Sequence, residues 1–96
     1  LHDPGLLWRL TRELAAPGCR VLHRDLRRPA SGDAARGLLE RYAIDAPEVL
    51  RRDYLASLHA AFTAAEVRNQ LEAAGLDGLS VVEVEDRYLE ISGRLP

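Results

Sequence analysis

The chain has no lysine and no methionine, one cysteine, one tryptophan and only 5% aromatic residues in 96 positions. A single thiol, Cys19, closes no intramolecular disulfide, and with three scattered histidines (His2, His23, His59) it matches no zinc-ligand spacing. No apolar run approaches the roughly 20 residues that span a bilayer, and no basic stretch followed by an apolar block opens the chain, so the sequence predicts no membrane partner, no secretory leader and a cytoplasmic location. A strongly basic half is also missing. Residues 1–48 carry 8 Arg against 7 acids, and residues 49–96 carry 5 against 8, giving the overall −2 and arguing against a nucleic-acid partner. Because all 13 basic residues are arginine amid abundant alanine, the bias reads as a coding signature and not as a phosphate-binding device.

What is present is enough for one packed domain, with 47% apolar and 29% charged residues. Pro4 opens a helix near 4–16 with Asp3 as its N-cap, and Leu7, Leu10 and Leu14 are expected to form its buried face before Pro17-Gly18 stops it. Trp8, beside that stripe, reads as an anchor against a sheet. A strand is expected near 19–25, with Cys19 as a small core side chain and His23 half-buried. Asp33 is expected to cap a helix near 33–45 presenting Leu38, Leu39 and Tyr42. A second helix near 48–61 carries Leu50, Tyr54, Leu58 and Ala61.

Thr63-Ala64-Ala65-Glu66 is a capping box opening a helix near 64–74, with Val67, Leu71 and Ala74 facing inward and Gly75 ending it. Apolar and polar residues then alternate over 79–85 and again over 88–92, which predicts a hairpin closed by a tight Asp86-Arg87 connection. The expected class is α/β with a small mixed or antiparallel three-stranded sheet, residues 1–96 forming a single domain.

The order of several short pieces points further. Leu1-His2-Asp3-Pro4 before a helix, Ala16-Pro17-Gly18 before a strand ending Asp25-Leu26-Arg27-Arg28-Pro29, then Arg52-Asp53-Tyr54, Ala61-Phe62-Thr63, Ala74-Gly75-Leu76 and Asp86-Arg87-Tyr88-Leu89 together resemble the second half of class I S-adenosylmethionine-dependent methyltransferases. The resemblance runs over essentially the whole chain. It implies a partial Rossmann-like methyltransferase fold in which the three strands are the fifth, sixth and seventh of the family, the seventh inserted antiparallel between the other two. It also implies that 1–96 is the C-terminal portion of a larger methyltransferase domain. The glycine-rich turn and the acidic ribose-holding residue of the family would precede Leu1. S-adenosylmethionine is therefore expected as the cofactor of the parent protein and not as a ligand of this chain alone.

Methyl transfer from a sulfonium works largely by alignment and water exclusion, so the absence of a Ser/His/Asp set carries no weight against it. The resemblance places His2 at the mouth of the acceptor cleft. Asp25, Arg27 and Arg28 follow a strand end, where α/β proteins put binding groups, and Tyr54 rides on a helix that would cover an acceptor. These five are the acceptor-side candidates, for an acceptor of small-molecule size. The alternative function is a non-catalytic α/β interaction or dimerisation module. Either way, the 19–25 strand lacks a neighbour on one side, which predicts pairing with the missing N-terminal half or with a second copy.

Overall fold

The structure is a computed structural model that describes residues 4–96. Seven elements follow one another: α1 (Pro4–Leu14), β1 (Arg20–Leu26), α2 (Gly32–Ala43), α3 (Glu48–Ala60), α4 (Ala64–Ala73), β2 (Ser80–Val84) and β3 (Tyr88–Arg94). The sheet order is β1-β3-β2. β3 runs antiparallel to both neighbours, with His23 opposite Ile91 on one side and Val81 opposite Ile91 on the other. The expected α/β class and the central, antiparallel position of the last strand are therefore observed. The strand expected at 19–25 runs one residue later, and its polar character suits the edge position it takes.

One sheet face is covered and the other is bare. Val81, Leu89 and Ile91 are buried in one cluster with Trp8 of α1 and Val67 and Leu71 of α4. The alternate residues Leu22 and Val82 remain 74% and 53% exposed on the opposite face. Period-2 alternation is thus satisfied on one side only, as expected for a sheet with a single helical layer.

Helix ends follow local chemistry. At α4 the Thr63 hydroxyl accepts from the Glu66 N–H at 3.2 Å while the Glu66 carboxylate accepts from the Thr63 N–H at 2.9 Å, the reciprocal box expected from the sequence. The same helix ends in a Schellman motif. The Leu76 N–H donates to the Leu71 carbonyl at 2.8 Å and the Gly75 N–H to Glu72 at 3.1 Å, with Gly75 at φ +73°. At α2 the cap is Ser31, whose Oγ accepts from the Ala34 N–H at 3.1 Å, and not Asp33, which lies inside the first turn.

Four further expectations are corrected. Leu7, Leu10 and Leu14 are 42%, 42% and 82% exposed, whereas α1 buries Trp8 and turns Pro4, Thr11 and Ala15 toward the same side. Those four recur at helical spacing, but only one is a large apolar residue, so the leucine stripe dominated the pattern. On α3, Leu50 is 55% exposed and Leu58 is fully buried, with Arg51, Tyr54 and Leu55 partly covered. Cys19 is exposed, lying just before β1. The hairpin connection spans 85–87, three residues between the paired Val84 and Tyr88, with Glu85 at φ +53°. Asp3 lies outside the described residues.

Candidate functional site

β1 delivers its last residues to a small pocket. Asp25 and Leu26 meet Pro4, Leu7 and Trp8 from α1, Phe62 from the α3–α4 junction, and Val67 and Gln70 from α4. The floor is apolar because Leu89 and Ile91 of β3 close it, and the polar groups are few. The Trp8 Nε1–H donates to Gln70 Oε1 at 3.2 Å, which fixes the indole. His23 meets that ring edge-on, with centroids 5.9 Å apart. Its Nε2 lies 4.0 Å from Asp25 Oδ2, while Asp25 Oδ1 accepts from the Leu26 N–H at 2.8 Å.

The five candidates part company here. Asp25 lines this pocket; His2 lies outside the described residues. Arg27 turns away and clasps the hairpin tip, donating to the carbonyls of Val84 (3.2 Å), Glu85 (3.2 Å) and Tyr88 (2.7 Å). Its guanidinium is committed to the fold. Arg28 pairs with Glu66 at 3.0 Å, so the capping-box glutamate also holds the loop after β1. That carboxyl is held below the usual carboxylate range, chiefly by the Thr63 backbone N–H and further by Arg28. Arg27 and Arg28 do border a second, more open hollow with Pro29, Leu38, Glu83 and Asp86.

Tyr54 joins neither hollow. Its hydroxyl is buried without a hydrogen-bond partner among the described residues, and burial pushes its pKa up. Nearby, a cluster that sequence reasoning missed binds the hairpin tip to α2. The Tyr42 hydroxyl donates to Asp86 Oδ2 at 2.7 Å, Arg41 to the same oxygen at 2.9 Å, and Arg87 to Oδ1 at 2.8 Å. The Arg87 guanidinium lies over the Tyr42 ring at 3.9 Å and the Tyr88 ring at 4.4 Å. The Tyr42 hydroxyl first, then Arg87 and Arg41, hold the Asp86 pKa down to about 2. Residues 42 and 86 are 44 positions apart, and no local pattern announces such a pair.

Chemically, the first pocket suits an apolar group with one polar edge. It holds no nucleophile next to a base, and no group of three potential metal ligands occurs among the described residues. No helix among those residues is long and apolar enough to cross a membrane. In comparisons with known proteins, the chain matches no family model, no curated protein sequence and no solved structure.

Proposed function

We propose that this chain is the C-terminal portion of a class I S-adenosylmethionine-dependent methyltransferase, inactive by itself, that supplies the last strands of the sheet and the acceptor-side cover. The single observation that carries the reading is the strand order β1-β3-β2 with the last strand antiparallel between two strands that run parallel to each other. That order is the one the sequence resemblance implies, and it forms around helices in the expected places. The methyl donor belongs to the parent protein in this reading; this chain alone binds none. Among the acceptor-side candidates, Asp25 has the best placement, since it lines a pocket at the carboxyl end of β1.

The test is calorimetric titration of S-adenosylmethionine into the protein expressed from its complete reading frame, beside the 96-residue chain. Saturable binding to the former and none to the latter is expected. Absence of binding in both would overturn the reading.

One observation favours the non-catalytic interaction module as a second reading. Leu6, Leu7, Leu10 and Leu14 of α1 are all exposed, and Leu22 of β1 is exposed on the bare sheet face, more apolar surface than a self-sufficient domain usually leaves.

A further inference from the structure

The two edges of the sheet are treated differently. On β2, Arg68 of α4 reaches the outward carbonyl of Val81 at 3.0 Å, so a side chain already occupies that edge. On β1 the register fixes which groups point outward. Arg27 donates to Arg87 opposite it, and Leu95 donates to Cys19 opposite it. Bonded pairs in an antiparallel ladder recur every second residue, so Val21, His23 and Asp25 turn toward β3 while Arg20, Leu22, Arg24 and Leu26 turn their N–H and C=O groups to the open side. The end of that row is closed. Asp25 Oδ1 takes the Leu26 N–H, and beyond it the Arg28 N–H donates to Phe62 at 3.1 Å. Among the described residues, Arg20, Leu22 and Arg24 are left as a template of a few residues, met only at the Arg20 carbonyl, which accepts a long contact from the Cys19 thiol at 3.5 Å.

We infer that the stretch Arg20–Arg24 of β1, together with the groove beneath Leu7 and Trp8, docks an extended strand of a partner protein whose side chains alternate apolar and acidic. A strand added at this edge alternates its side chains between the two faces of the sheet. On the α1 side they meet Pro4, Leu7, Trp8 and His23, a surface that rewards apolar groups. On the bare side they meet Arg20 and Arg24, with Arg94 opposite Arg20. Glu90 bridges Arg24 at 3.1 Å, and Arg94 donates to the Gly18 carbonyl at 3.2 Å. Among the described residues no carboxylate bridges Arg20 or Arg94, so carboxylates from the incoming strand complete the balance.

Charge also decides against a second copy as the occupant. The three two-fold registers centred on Leu22, His23 or Arg24 set Arg24 against Arg20, Leu22 or itself, and none brings a carboxylate to either arginine. The inference rests on the second reading, the interaction module, since in the first the N-terminal half of the parent protein pairs with this edge of β1.

The test uses Trp8, the single tryptophan, as reporter in the groove wall. Ten-residue peptides alternating leucine with glutamate, or leucine with lysine, are titrated at low salt and followed by Trp8 emission and calorimetry. The acidic peptide is expected to bind saturably and at least tenfold more tightly than the basic one. Leu22→Pro removes an outward N–H without touching the ladder to β3, and is expected to weaken the acidic peptide about tenfold. Arg24→Glu, which leaves the backbone intact, is expected to erase the preference for the acidic peptide and keeps the test open if Leu22→Pro does not fold by circular dichroism. Equal affinity for the two peptides, no binding of either, or an Arg24→Glu protein that still prefers the acidic peptide tenfold would each overturn the inference.

Discussion

Arg27 Nη1 lies 2.7 Å from the carbonyl oxygen of Tyr88, bringing the residue that follows β1 onto the first residue of β3. Two more carbonyls of the same tip, Val84 and Glu85, are held by the same guanidinium. Removing the fork leaves three acceptors to find water in a partly covered site. Arg27→Ala is therefore expected to lower unfolding free energy by about 1–3 kcal/mol in urea titrations. Arg27→Lys should recover less than half of that loss, because an ammonium cannot span the three oxygens as a planar fork does. A lysine variant as stable as the parent chain would return Arg27 to the role of a free, ligand-facing charge.

The Asp86 carboxyl titrates at about 2 in the fold, against an ordinary value of 3.8. A depressed folded value means that the group stabilises the native state fully above pH 3.8 and loses that contribution as pH falls through about 2. Glu66, also held low, acts in the same direction. The midpoint of thermal unfolding is expected to fall steeply between pH 4 and 2. Asp86→Asn should start lower at pH 6 and fall less over the same window, which differential scanning calorimetry at four or five pH values will resolve.

Local chemistry made much of the fold legible, and long-range chemistry did not. Thr63 and Glu66 stand three residues apart, and their capping box forms as the sequence indicates because both partners belong to one turn. Gly75 ends α4 for an equally local reason. The 79–85 and 88–92 alternation marks strands because a pleat repeats every two residues. By contrast, Arg27 and Arg28 looked like binding groups because they follow a strand. Their partners, Tyr88 and Glu66, are 61 and 38 positions away, and nothing in the linear text reserves them. The Tyr42–Asp86 bond was hidden for the same reason. Asp25 kept its place at a pocket, since the carboxyl end of a strand is fixed once the strand is found.

Gly75 offers a clean measure of one backbone requirement. At φ +73° a side chain is disfavoured by about 1–2 kcal/mol, and an added Cβ would also stand 2.6 Å from Arg12 Nη1. That guanidinium holds α1 to α4 through the Ala74 carbonyl at 3.0 Å, but its long side chain has room to swing away. Gly75→Ala is thus expected to cost about 1–2 kcal/mol in urea unfolding, most of it from the dihedral. In the Arg12→Ala background the same substitution should cost nearly as much, as a double-mutant cycle will show.

The two faces of α1 give opposite expectations for substitutions only a few residues apart. Leu14 is 82% exposed and Leu10 42%, whereas Trp8 is 3% exposed and bonded to Gln70. Leu14→Glu is expected to change stability by less than about 0.5 kcal/mol, as for an ordinary surface position. Trp8→Ala opens a void between α1, α4 and β3 and should cost about 3–5 kcal/mol, a large share of a small domain's stability. Trp8→Phe separates the causes, because it retains most of the packing and loses the Gln70 bond. It should fall between the two. If Leu14→Glu proved as damaging as Trp8→Ala, the leucine stripe would be the true core face and the helix would be rotated from the position described, which chemical denaturation of the three variants decides.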